Sequence, residues 1–193
     1  TGGAITNSGS GSVEMWACWN GSTATPSFSG SPGTITLTQP ITLLGGDLRL
    51  YGSSGITDAS GAIISAVNLL AVTNTQPNRS VDLTANSHMV DVIAGRATEN
   101  FKFNNAKALT IGSLAGFNGI AVNAIDGSSD ANVNVQVTGI GNLIVANTIN
   151  ATGSTTAGVG SVPLSTASGD IIANPGVGIT ASAGKSFGIV RAG

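Results

Sequence analysis

Charged side chains make up only 8% of these 193 residues. Strong helix formers such as Glu, Lys, Arg and Gln are therefore scarce, which argues against helices as the main element. The seven Lys and Arg form no cluster, and the formal net charge is -2. Such a chain has no electrostatic footprint for nucleic acid or an anionic membrane surface, and neither is expected as a partner. Long apolar runs are missing too. LLAV, Leu69 to Val72, falls far short of the roughly 20 residues a helix needs to cross a bilayer, so no membrane insertion is expected. A single cysteine, Cys18, excludes an internal disulfide, and no Cys/His spacing suits zinc. No metal or cofactor is expected. The chain opens on TGGAIT, without Met and without a charged-then-apolar leader, which reads as a segment of a longer or processed precursor.

What the chain does contain is glycine, 28 residues of it, together with Ser, Thr, Asn, Val, Ile and Ala. Plentiful β-branched residues point to an all-β fold. Short alternating runs recur: TITLT from Thr34, DLRLY from Asp47, VNLLAV from Val67, VDLTA from Val81, MVDVI from Met89, FKF from Phe101, VNVQV from Val133 and NLIVANTI from Asn142. Each is strand-length, places apolar side chains on one face by the period-two rule, and ends at Gly, Asn, Ser or Asp. Apolar anchors near Leu48, Leu69, Val90, Thr110 and Val133 recur every 20 to 23 residues or so, within the range of solenoid repeats. A coil of three short strands uses about that many residues, each strand pairing with its counterpart one coil on. The spacing thus predicts a parallel β-helix of about nine coils, roughly 43 Å long at about 4.8 Å per coil. An antiparallel sandwich is the competing fold. Its hairpins favour Asn-Gly and Asp-Gly turns, of which the chain has only Asn20-Gly21, Asn118-Gly119 and Asp126-Gly127.

The whole of residues 1–193 reads as one shaft segment. Residues about 10–33, with both tryptophans, the cysteine and two prolines, read as a side insertion or cap-like loop near the N-terminus. Residues about 151–163, nearly pure loop in composition, read as a flexible excursion.

The run from Val81 to Asn123 resembles the repeats of filamentous-haemagglutinin-like adhesins. Its elements stand here as Leu83-Thr84-Ala85, a polar turn from Asn86 to His88, Val90 to Ala94, Phe101-Lys102-Phe103, Asn105-Ala106, Leu109 to Gly112 and Gly119-Ile120. Gly45 to Thr73 is similar to preceding coils of that family. The resemblance implies a right-handed parallel β-helix within a large secreted, surface-associated filamentous protein. No NPNG-type export sequence is present, so the segment would come from the shaft.

Candidate chemistry is sparse. His88, the only histidine, lies between Asp82 and Asp91 and could suggest an acid/base or metal site. In strand phase both carboxylates point away from Val81, Leu83, Val90 and Val92, onto different strands, so His88 is expected to be a solvated turn residue. Asp126 and Asp130 are the closest acidic pair, yet IDGSSDAN lacks a calcium-loop pattern. Trp16 and Trp19 flank Cys18: exposed, they would form a stacking platform, and buried, a plug anchoring the insertion, which is the favoured reading. Cys18 then acts as a small buried hydrophobe. GSLAGFNG, Gly112 to Gly119, reads as a coil corner. Asn-x-Ser/Thr signals stand at Asn20, Asn78 and Asn150.

The function expected is a non-enzymatic structural or adhesive shaft module of an extracellular fibre. Its partners would be neighbouring copies or further repeats stacked end to end, and host or surface glycans or proteins. Trp16, Trp19 and Thr155 are the candidate contact residues, with no catalytic or metal residues. The termini GIVRAG and TGGAIT read as mid-repeat text, with coils expected to continue beyond both. The alternative is a polysaccharide-binding or polysaccharide-degrading protein on the same fold.

Overall fold

A computed structural model describes residues 3–21, 27–29, 32–125, 130–154 and 158–182, and the backbone alone of 185–187 and 190–191. Among these residues the chain is all-β with no helix, and 18 of its 20 strands belong to one large, mostly parallel sheet. The expected alternating runs are strands. Thr34–Leu37, Asp47–Gly52, Ile64–Thr73, Ser80–Ala97, Asn100–Ile111 and Ala131–Val145 hold them, except that NLIVANTI is broken after Val145 and resumes as strand at Ile149.

Within this sheet strands pair in parallel with strands one rung further along the chain, and like residues align. One register column runs Val13, Leu48, Leu69, Ile93, Ile111, Val145, Ala173. A second runs Ile35, Ile56, Val81, Phe101, Val133, and beside it Leu83, Phe103, Val135 and Leu164 align. Leu48, Leu69, Ile93, Ile111, Val81, Phe101, Phe103 and Val135 are wholly buried, so the inward columns form one continuous apolar core. Alternation in the sequence becomes stacking in the core because parallel register brings every second side chain of each strand to the same face.

The first column has seven rungs and a length of about 29 Å. The expectation of about nine coils and 43 Å assumed a constant repeat, whereas residues are also spent outside the ladders. Residues 113–118 form an antiparallel hairpin, Ser113–Leu114 with Phe117–Asn118, where the sequence read as a corner. The segment following Ala17 makes an antiparallel bridge, Trp19 to Phe28. The expected insertion about 10–33 therefore opens inside a ladder strand, since Val13–Ala17 pairs with Leu48–Gly52. At the other candidate excursion, about 151–163, Ile149–Thr152 and Val159–Ser161 are ladder strands and Ser154 and Val162 are buried.

Polar residues also stack. Ser80, Asn100, Asn132 and Ser161 are joined in a row: Asn100 donates to Ser80 at 3.3 Å, Asn132 donates to Asn100 at 2.9 Å, and Ser161 donates to Asn132. This is the side-chain ladder that parallel in-register Asn favours.

Candidate functional site

His88 is fully buried, a correction to its expected solvated position. The cause lies in the register. Between Leu83, paired with Phe103, and His88, paired with Asn105, one strand spends three more residues than its neighbour, so the chain bulges and the phase of the following side chains changes. His88 then lies flat on the Phe103 ring, centroids 5.3 Å apart. A second register shift, between His88 and Val92, makes Ile93 the wholly buried residue and leaves Val92 only half-buried, where period-two counting had placed Val92 inward.

Buried there, His88 serves the backbone. Its Nδ1 accepts the Ile64 N–H at 3.0 Å, and the neighbouring Asn105 Oδ1 accepts the Val90 N–H at 3.0 Å in the same way. Both are buried N–H groups at bends where strand pairing lapses, and an unpaired one would cost about 1–3 kcal/mol. With Nδ1 accepting, the neutral ring carries its proton on Nε2, which faces Asp58 Oδ2 at 3.5 Å without a well-directed hydrogen bond. Burial holds the imidazole pKa below its ordinary value of 6.5, opposed by the Asp58 charge and the Leu83 carbonyl. Asp58 in turn accepts from Asn86 Nδ2 at 2.7 Å and from the Ala85 N–H at 3.2 Å. Apart from His88 Nε2, the donors and acceptors of this cluster are spent on the bulge and the backbone beside it.

The two expected aspartates are elsewhere. Asp82 and Asp91 face solvent, as strand phase implied, although on the single strand Ser80–Ala97, and each meets a lysine one rung on: Lys102 at 3.5 Å and Lys107 at 2.5 Å. Asp130 Oδ1 accepts the Val159 N–H at 2.8 Å. Asp126 and Thr155 lie outside the described residues. No three of His, Cys, Asp and Glu gather into a metal-binding group among the described residues.

The most site-like feature is an aromatic cleft on the outer face. Trp16, Tyr51, Val72 and Arg96 are register partners on four successive rungs, so they stand in one row. Trp16 stacks on Tyr51 with centroids 4.0 Å apart and planes at 11°, and Phe28 meets Trp16 at 5.6 Å with a 59° tilt. The hairpin brings Phe117 under Arg96, whose guanidinium lies 5.7 Å from the ring centroid. Glu14, two residues before Trp16 on the same strand, accepts from Trp16 Nε1 at 2.5 Å and approaches Arg49 at 3.8 Å. With Ser27 these residues enclose a cleft of about 390 Å³.

The expected plug of two buried tryptophans is not what stands here. Trp16 is half-buried and ties the bridging segment to the ladder through Phe28, whereas Trp19 is 43% exposed and lies outside the cleft lining. Cys18 is half-buried with a left-handed φ of 67°. Tyr51, Arg96 and Phe117 were not singled out from sequence. The signal available for them was LLAV: an uninterrupted apolar run means that both faces of the strand are covered. Leu69 and Ala71 face the core, while Leu70 and Val72 join Ala94 in a second buried cluster beneath Phe28, Tyr51, Leu114 and Phe117.

Burial pushes the Arg96 guanidinium pKa down, yet an arginine remains charged. Its contacts among the described residues are the Thr73 carbonyl at 3.4 Å and the Phe117 ring, with no carboxylate against it. Arg49, by contrast, has both Glu14 and Asp47. The cleft thus combines flat aromatic walls with one cation whose counter-charge is not supplied by the surrounding side chains. No protein-family model, curated protein or solved structure matches this chain.

Proposed function

We propose that this chain is a right-handed parallel β-helical shaft segment of a large secreted or cell-surface filamentous protein, of the filamentous-haemagglutinin-like adhesin kind, with a structural and adhesive role. The observation that carries the reading is the in-register column from Val13 to Ala173, with its parallel pairing and buried centre. Right-handedness rests on the strong preference of parallel crossover connections for that hand. A ladder of this kind gains cohesion from neighbours along its axis and so suits a projecting rod. Supporting a non-enzymatic role, the outward carboxylates Asp82 and Asp91 are paired with lysines, and the buried Asp58 holds the backbone. The aromatic cleft favours a second element of the reading, recognition of a glycan at the side of the shaft.

Small-angle scattering and electron microscopy of the purified chain test the shape. A rod whose cross-section is constant along its length is expected, and a globular, isometric particle would overturn the shaft reading. Reducing-sugar release from a panel of polysaccharides tests the other half: turnover that is abolished by Asp82→Asn or Asp130→Asn would replace the adhesive reading with an enzymatic one.

A further inference from the structure

We infer that the cleft between Trp16, Phe28, Tyr51, Phe117 and Arg96 is a binding site for a carboxylated pyranoside, the acidic residue of an anionic glycan. This names the ligand class for the adhesive reading, but it stands on the cleft geometry alone and survives if the shaft proposal fails.

Aromatic faces attract the C–H surfaces of a sugar ring because the ring presents apolar area on one side and hydroxyls at its edge. Trp16 and Tyr51 already stack on one another, so the wall they make is stiff and loses little conformational freedom when a ligand arrives. The volume of about 390 Å³ lies within the range of small-ligand sites, roughly 300–1,000 Å³.

Charge decides the kind of sugar. Arg96 lies in the lining with its guanidinium over the Phe117 ring, and no carboxylate of the described residues pairs with it. A planar guanidinium of this kind matches a carboxylate through two parallel N–H···O bonds. Glu14, the one acidic lining residue, has its oxygens engaged by Trp16 Nε1 and Arg49, so its charge is met by a cation other than Arg96. Tyr51 and Ser27, which also line the cleft, carry hydroxyls of the kind that pair with sugar hydroxyls. A neutral sugar would stack but leave Arg96 without a counter-charge, and a purely apolar ligand would bury it at a cost.

Isothermal titration of the purified chain with trigalacturonic acid and with sialyllactose, each against its own methyl ester, tests the inference and separates a uronic acid from a sialic acid. At least one acid is expected to bind, with its ester weaker by about tenfold or more, the worth of one charge-assisted contact. Arg96→Gln should erase the difference between acid and ester, Arg96→Lys should retain part of it, and Phe117→Ala should weaken both. Unchanged circular dichroism in Arg96→Gln shows that the effect is local. Equal affinity for acid and ester, acid binding that survives Arg96→Gln, or the absence of binding by both acids would overturn the assignment. So would concentration-dependent dimerisation, measured by sedimentation, that Arg96→Gln abolishes, since the cleft would then be a contact between copies.

Discussion

Placing an imidazole where no water reaches it makes its protonation state part of the fold. With the His88 pKa held below 6.5 in the folded chain, the unfolded chain takes up the proton first as pH falls. The stabilisation from neutral His88 is therefore complete above about pH 6.5 and is lost progressively below it, until the folded state protonates too. Urea unfolding at about pH 7.5 and about pH 5 should show a drop for the wild type that is smaller in His88→Gln, which keeps an acceptor near the Ile64 N–H but does not titrate. An equal drop in both proteins would mean that other groups carry the pH dependence. At neutral pH, His88→Leu should cost about 1–3 kcal/mol by stranding that N–H. Gly95 makes the opposite point, that an atom can be excluded. A Cβ there would overlap the Ala71 carbonyl oxygen and the Phe101 ring, and neither can withdraw without disturbing the ladder. Gly95→Ala should lower the unfolding free energy by about 1–3 kcal/mol, the usual cost of overpacking, in the same urea assay.

At the scale of elements, the hairpin from Ser113 to Asn118 is what converts a ladder face into a cleft, because it supplies Leu114 and Phe117 to cover Leu70, Val72 and Ala94. Its turn residues Ala115 and Gly116 both have positive φ, 49° and 85°. That is the turn whose twist suits a two-residue hairpin, and glycine or asparagine usually fills its first position. Ala115→Gly should therefore relieve a strained conformation and raise stability by up to about 1 kcal/mol in thermal or urea unfolding, and a loss would show that the turn is unstrained. The choice of alanine there also explains why the element was invisible in the sequence: Ala-Gly is no recognised hairpin signal, so GSLAGFNG read as a corner. The ladder strands were legible because alternation is a direct consequence of one buried face. The bulge before His88 was not, because three extra residues in one strand are defined only by the partner they lack. The cleft was half legible: Trp16 announced itself as a rare aromatic, but its companions Tyr51, Val72 and Arg96 are joined to it by register, a relation between rungs that sequence spacing disguises.

Over the whole molecule, the pairing pattern is that of a stack in which each rung touches the ones beside it. Stability in such a stack is approximately a sum of rung and neighbour terms, so opening need not be all-or-none. The long strands Ser80–Ala97, Asn100–Ile111 and Ala131–Val145 are paired on both sides and contain the wholly buried Phe101, Phe103, Val133 and Val135. Ile5–Asn7 and Ile171–Ala173 are three residues long, and their side chains are largely exposed. Hydrogen exchange on the 193-residue chain should therefore be graded. Amides of Asn100–Ile111 should exchange slowest, near the rate set by global unfolding, and those of Ile5–Asn7 and Ile171–Ala173 much faster through local opening. Weakening the middle with Phe103→Ala, which should cost about 3–5 kcal/mol, would raise exchange across the neighbouring rungs on both sides before it reaches the outer ones. Uniform protection, with every amide shifted equally by the substitution, would instead describe a single cooperative core. Propagation along the axis would then be lost as a physical basis for length, because a ladder that can be extended by further rungs must first be one whose rungs hold their neighbours locally.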